Sequence, residues 1–309
     1  MAVSQKRPTD GPPGTFPGPV AEVLCRICGY RTPSPDQKSV GFARGNTAKY
    51  QSTYFRLWKC PQCSTVQSLD PVDYAEIYRN YPLNQRREDS FARATLGNLL
   101  GRLQRAGITK QAAVLDYGCG NGIFVNYLLR HGFSNVVGYD PFVENYSRSL
   151  SPGVFFDVIV VNDVLEHCED VRAIVRECRE RLRPKGLLYI GTVESDGLDM
   201  EHLEPHVMKL HQPFHRVFLK ESVLHGICQE FGFDIVATYK RSYLDTLMPF
   251  ANYRFLDELS KAMNHNMDRM LQGSGAFAAF LKRPQLLFFG LFGYFFPSAF
   301  EPAIIARKQ

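Results

Sequence analysis

No stretch of this chain reaches the roughly 20 uninterrupted apolar residues that a membrane-spanning helix needs, so none is expected to cross a bilayer. The N-terminus reads Lys-Arg-Pro-Thr-Asp-Gly-Pro-Pro-Gly and lacks the apolar centre of a secretory leader. A cytoplasmic location is the expectation. No Gly-Lys-Ser/Thr closes a glycine-rich turn, which excludes a phosphate-binding P-loop. The dinucleotide pattern G-x-G-x-x-G is also missing, because Ile123 stands where its last glycine belongs. Charge bias is small: 36 Lys/Arg against 31 Asp/Glu, a formal balance of +5 in 309 residues. With 45% hydrophobic and 22% charged residues the composition is that of an ordinary globular protein, long enough for one large domain or two.

The small charge excess is unevenly placed. Residues 1–69 hold Lys or Arg at 6, 7, 26, 31, 38, 44, 49, 56 and 59 but acids only at 10, 22 and 36. This leaves the N-terminal part basic, either as a solvated surface or as an attraction for an anionic partner such as nucleic acid. Residues 1–20 are rich in Pro and Gly and are expected to form a disordered tail. Residues 21–70 then carry two C-x-x-C pairs, Cys25/Cys28 and Cys60/Cys63. Four thiolates at that spacing close a tetrahedral Zn2+ shell with no open position, so a structural zinc ribbon is expected. Cys119, Cys168, Cys178 and Cys228 have no such spacing and read as small buried residues.

The densest signal lies at residues 115–122, Leu-Asp-Tyr-Gly-Cys-Gly-Asn-Gly. An apolar run (112–115) precedes it and a helix-compatible run (123–129) follows, so strand, tight turn and helix are expected in that order. Open α/β sheets bind ligands at such a strand end. A second strand over 134–142 ends in Asp140, placed to accept hydrogen bonds from a ribose or, alternatively, to cap a helix. A continuous apolar strand from Phe156 ends in Asn162 and Asp163, and Glu166 and His167 follow.

These residues resemble the class I S-adenosylmethionine (SAM) methyltransferases. The pattern hydrophobic-D-x-G-x-G-x-G is met from Leu115 to Gly122, and Phe156-Asp157 through Leu165-Glu166-His167 is similar to a later family motif. Arg181-Leu-Arg-Pro-Lys-Gly186 resembles a further turn, with Lys185 where the family has glycine. The resemblance implies a Rossmann-like α/β sheet. It implies that Asp116, Gly118, Cys119 and Gly120 hold the methionine end of SAM, that Asp140 holds the ribose, and that Asn162 and Asp163 lie over the cofactor. The family's third strand is missing or reduced to Val154-Phe155, so its usual adenine contact is not carried over. With the cysteine pairs and the aromatic stripe of Tyr74, Ile77, Tyr78 and Tyr81, the chain is similar to bacterial zinc-ribbon methyltransferases, several of which act on sugars or other small metabolites.

Residues 71–110 are expected to be a linker with N-terminal helices and 111–244 the SAM-binding core. Tyr81 is placed near the substrate mouth. The histidines at 202, 206, 211 and 215 have spacings compatible with metal ligands, while the resemblance points to His211 or His215 near the methyl acceptor. His167, His211 and His215 are therefore the candidate general bases. Residues 245–300 form an apolar helical insertion, and 301–309 return as the last strand. The insertion reads first as a lid or packed cap over an apolar substrate, with a homodimer face or an interfacial membrane anchor as the alternatives. The expected activity is methyl transfer to a small molecule. RNA methylation, and a non-catalytic SAM-binding protein or SAM-dependent enzyme of another reaction, are the alternatives.

Overall fold

The computed structural model describes residues 20, 22–79, 81–85, 88–297 and 301–309. The tail expected over 1–20 thus lies outside the described residues, apart from Val20. Five short strands open the chain: β1 (Val23–Leu24), β2 (Arg31–Thr32), β3 (Val40–Arg44), β4 (Tyr54–Lys59) and β5 (Val66–Ser68). Helices α1 (Tyr74–Tyr78) and α2 (Ser90–Arg105) lead into the central sheet. Its elements run β6 (Val114–Tyr117), α3 (Ile123–Arg130), β7 (Val136–Tyr139), β8 (Phe156–Asn162), α4 (Val171–Arg181) and β9 (Leu182–Gly191). After α5 (Val207–Leu210) and β10 (Val217–Phe218) come α6 (Glu221–Glu230) and β11 (Phe233–Tyr239). The insertion holds α7 (Tyr253–Ala262), α8 (Met267–Gln272), α9 (Ala276–Lys282) and α10 (Gln285–Phe292), and β12 (Ala303–Lys308) closes the chain.

The sheet order is β11-β12-β9-β8-β6-β7, with β7, β6, β8 and β9 parallel and β12 antiparallel to both its neighbours. This is a Rossmann-like α/β sheet, and β12 slots between β11 and β9 although some sixty residues separate it from β11 in sequence. Both faces are covered, which is why the strands read as nearly continuous apolar runs. Side chains alternate between two cores, as a period of two requires. Val114, Val158 and Val160 pack with Leu99, Leu103, Phe124 and Leu128 of α2 and α3. Leu115, Ile159 and Val161 pack with Val171, Val175, Leu224 and Ile227 of α4 and α6.

Among the described residues no strand intervenes between β7 and β8: β7 is the sheet edge, and Val154 and Phe155 are 41% and 49% exposed. The Pro184-Lys-Gly turn is a bulge at the start of β9, where the register against β8 jumps from Phe156↔Leu182 to Val158↔Leu187. Lys185 takes φ +64 there, the left-handed conformation that a glycine would adopt at less cost.

The N-terminal strands do not stand apart. β10 pairs with β5, completing the four-stranded sheet β10-β5-β4-β3 with a segment from beyond the sheet's parallel half. Val23, Cys25, Ile27 and Trp58 belong to the same core as Leu115 and Ile159. Arg216, with its side chain only 1% exposed, clamps the junction: it donates to Glu169, to Ser68 Oγ and to the Asp70 carbonyl. No described helix is long and apolar enough to cross a membrane.

Candidate functional site

The carboxyl end of β6 is where the backbone turns hardest. Gly118 and Gly120 sit at φ +77 and +53, and the Gly118 and Cys119 amides both donate to the Tyr139 carbonyl at 2.7 and 3.0 Å. A side chain at Gly118 would also collide with Val164, so glycine is required there on two counts. The Gly120 amide donates to Asp140 Oδ2 at 3.0 Å, and the Phe142 amide donates to Oδ1 at 2.9 Å. Asp140 therefore binds the glycine loop and caps its own turn at once. Each carboxylate oxygen retains acceptor capacity for a ligand. Asp116 is 6% exposed. Burial first, and the nearby Asp140 second, push its carboxyl up to about 7.

One cavity of about 440 Å³ opens over these groups. Asp116, Gly118, Cys119, Gly120 and Asp140 line it, together with Asn162 and Asp163 at the end of β8. Asp163 has φ +56, a conformation unusual for a side-chain-bearing residue and typical of functional sites. Tyr243 and Asn162 donate to its Oδ2 at 2.9 and 3.0 Å. Asn162 Oδ1 is buried without a hydrogen-bond partner. A second hollow of about 480 Å³ lies at the opposite strand ends, bordered by Ala113, Asn135 and Phe156. That edge is not the one at which such sheets bind ligands.

His167, His211 and His215 meet at the far side of the first cavity, with ring centroids 4.7 Å (167–215), 5.0 Å (211–215) and 6.5 Å (167–211) apart. Burial holds all three below the ordinary histidine range, His167 at about 4. His211 lies between Asn46 Oδ1 (2.7 Å) and the Tyr81 hydroxyl (3.1 Å), so both its nitrogens are engaged. His167 Nδ1 lies 2.7 Å from the Tyr78 hydroxyl. His215 Nδ1 donates to the Lys209 carbonyl at 2.9 Å, which puts the lone pair on Nε2. His202 is elsewhere, exposed and paired with Asp199 at 2.8 Å, and His206 does not line the cavity. The four-histidine spacing thus resolves into two that converge and two that do not.

Three further groups at the cavity were not assigned a site role from the sequence. Glu166 is 1% exposed, accepts from Thr192 Oγ1 at 2.7 Å and lines the cavity. Glu301 lines it too, and burial, then Asp163, pushes its carboxyl up to about 7. Tyr78 stacks on Phe142 at 4.4 Å and 7°, joining the stripe of α1 to the turn after Asp140. The Glu-His pair at 166–167 carried a signal. Glu301 carried none, since only the closed sheet brings it to the cavity.

The four N-terminal cysteines form a separate centre. Their sulfurs all lie within 4.8 Å of one another, with Cys25–Cys63 and Cys28–Cys60 at 3.6 Å. A tetrahedral ion with bonds of about 2.3 Å sets sulfurs about 3.8 Å apart, so the set fits a zinc ion. Burial pushes the Cys60 thiol up to about 11. A bound dication reverses that penalty, since it holds its ligand thiols deprotonated.

Residues 86–238 match a methyltransferase domain. The matching family is described as "Methyltransferase domain", and the matched segment spans α2 to β11 and the whole of the cavity's glycine loop. Among curated proteins it is similar to the ubiquinone biosynthesis O-methyltransferase of Yersinia pestis, 29% identical over 112 residues. That likeness covers 29% of this chain and 46% of the relative, so the chain spans about half the length of the curated relatives it matches. Among solved structures, a putative sarcosine dimethylglycine methyltransferase from Galdieria sulphuraria is similar at TM-score 0.47 and 20% identity, covering 74% of this chain and 91% of the other. Within this chain the matched segment supplies the glycine loop and strand ends. Helix α1, the residue Asn46 and the insertion's Met267 complete the cavity or its histidine cluster from outside the matched segment.

Proposed function

We propose that the protein is a SAM-dependent methyltransferase acting on a small-molecule acceptor, with a structural zinc at Cys25, Cys28, Cys60 and Cys63. The observation that carries this reading is the pairing of Asp116 and Asp140, on adjacent parallel strands, across a left-handed glycine loop that opens onto one cavity. In this reading Asp116 faces the ligand's ammonium, Gly118, Cys119 and Gly120 run along its methionine end, and Asp140 uses its remaining lone pairs on the ribose. Asn162 and Asp163 lie where the methyl group and the acceptor meet. When bound, SAM supplies a methyl group already activated on a sulfonium, so alignment and exclusion of water are the protein's main tasks.

A hydroxyl or ammonium acceptor must also lose a proton. His215 is the best placed of the three histidines to take it, because its Nδ1–H is tied to a carbonyl and its Nε2 carries the lone pair. His211 acts as a positioning residue for Tyr81. A sugar or other hydroxylated metabolite suits this arrangement. The cavity's described lining contains five carboxyl groups (Asp116, Asp140, Asp163, Glu166 and Glu301) and no Lys or Arg, which argues for a neutral or cationic acceptor over a phosphorylated one.

The basic N-terminal part gives little support to nucleic-acid binding. Arg26, Arg31, Arg44, Lys49 and Arg56 each pair with an acid, and Lys59 donates to the Leu198 carbonyl. Six of the nine cations of that part are thus engaged within the chain, while Lys38 is exposed and Lys6 and Arg7 lie outside the described residues, so the engaged cations are not offered as a phosphate track. Calorimetry with SAM tests the reading: wild-type protein binds, and Asp140→Ala binds at least about tenfold more weakly, as loss of charge-assisted hydrogen bonds requires. Equal affinity in the variant would remove the ribose assignment.

A further inference from the structure

Helix α10 reads Gln-Leu-Leu-Phe-Phe-Gly-Leu-Phe and is apolar around its whole circumference. A helix of that kind is normally enclosed on all sides. Here Leu286 and Gly290 are buried against α7 and Phe250, while Leu287, Phe288, Leu291 and Phe292 on the other side are 54%, 49%, 44% and 48% exposed. Helix α9 adds Phe277 at 77% and Leu281 at 70%, and the turn after α10 adds Phe295 at 73%. Taking ~200 Å² for each fully exposed large side chain, these seven present about 800 Å² of apolar surface. The largest apolar patch on a typical monomer is about 300–600 Å².

Charge indicates what covers it. From 269 to 297 the chain contains Arg269, Lys282 and Arg283 and no Asp or Glu. The one acid recorded within ion-pair distance of these cations is Glu258 of α7, which reaches Arg283 at 3.9 Å and is shared with Arg254 and Lys261. A two-fold pairing of copies through this face would set like charges against like. It would also lack the polar groups that supply about one hydrogen bond per 100–200 Å² in protein interfaces. An anionic lipid surface is complementary on both counts. At 7 and 8 residues, α9 and α10 are far too short to span a bilayer but suit an in-plane position.

We infer that α9, α10 and the turn after them dock this protein onto an anionic membrane surface, with Phe277, Leu281, Phe288, Phe292 and Phe295 in the headgroup–acyl boundary and Lys282 at the lipid phosphates. The inference is independent of the methyl-transfer reading. The same insertion lines the cavity at Met267.

The test is co-sedimentation of the full chain with vesicles of phosphatidylcholine alone or mixed with phosphatidylglycerol. The expected result is binding at least about tenfold tighter to the anionic vesicles, weakened by salt. The double variant Phe277→Asp/Leu281→Asp should abolish it while the thermal midpoint and SAM affinity stay at wild-type values, since these side chains are 77% and 70% exposed. The single variant Lys282→Glu, which perturbs no packing, should reduce it. Failure of the wild type to bind anionic vesicles overturns the inference. So does binding that persists undiminished in both variants, or a solution dimer, seen by sedimentation equilibrium, that these substitutions dissolve without any vesicle binding.

Discussion

Proton linkage at Asp116 gives the sharpest test of the proposed cofactor site. In the free protein burial holds this carboxyl protonated up to about pH 7. Unfolded, it ionises near the ordinary carboxylate value of about 4. The folded state therefore binds the extra proton between those values, and its stability falls as pH rises through that window. A ligand ammonium beside Asp116 requires the carboxylate, so binding must release the proton. For a free-state value of about 7 and an ordinary value in the complex, the apparent dissociation constant is raised by a factor of about 30 at pH 5.5 and about 2 at pH 7. Affinity for SAM should thus rise about 15-fold between these two pH values. Above that the ligand's own α-amino group begins to titrate, at about 7.7–8.0, so the comparison ends at pH 7. Calorimetry in two buffers of different ionisation enthalpy should count close to one proton released per SAM at pH 5.5. Glu301 titrates in the same window, being also raised to about 7, so Asp116→Asn is the necessary control. That variant should bind more weakly at pH 7 and lose most of the slope. A flat profile in the wild type, or an unchanged slope in Asp116→Asn, would refute the placement of the ammonium at Asp116.

The remaining expectations concern separate parts of the molecule. Metal analysis of the purified chain should find one zinc per molecule, and Cys63→Ser should lose it; because Cys25 and Trp58 share a core with Ile159, the same change should lower the thermal midpoint of the whole protein, not of a detached ribbon. Arg216→Met should destabilise by about 3 kcal/mol in denaturant titration, as removal of one partner from a buried charged network does, and a loss under about 1 kcal/mol would show that the clamp is dispensable. His215→Gln should lower kcat by about 100-fold or more with little change in SAM affinity, whereas an equal loss of SAM affinity would assign it to binding rather than proton transfer. Gly118→Ala should abolish SAM binding while the protein stays folded, since the added methyl strains a left-handed backbone and strikes Val164 at the loop itself.

Much of the site was legible because its signals are local. Residues 115–122 spell strand, left-handed turn and helix within one short run, and each feature has a residue-level cause: apolar periodicity, glycines at positive φ, and apolar residues again. The two C-x-x-C pairs were legible for the same reason, since each knuckle is built within four residues. The shortness of the segment between Asp140 and Asp157 showed that the third strand is missing or reduced to Val154-Phe155, and only the structure chose between the two. The insertion before β12 was visible as composition, but the exposed apolar side of α10 was not.

What the sequence by itself determined is the identity of the turn, the cysteine knuckles and the strands that lead to Asp116, Asp140 and Asp163. Local backbone sterics and side-chain periodicity decide these, and they act between near neighbours in the chain. Only the tertiary structure decided that His167 meets His215 some fifty residues away, that Arg216 and β10 tie the ribbon sheet to the domain beside it, and that Glu301 returns to the cavity after the whole insertion. Those pairings are set by which strands lie adjacent and which faces are buried, and packing of the whole sheet, not any run of neighbouring residues, is what chooses them.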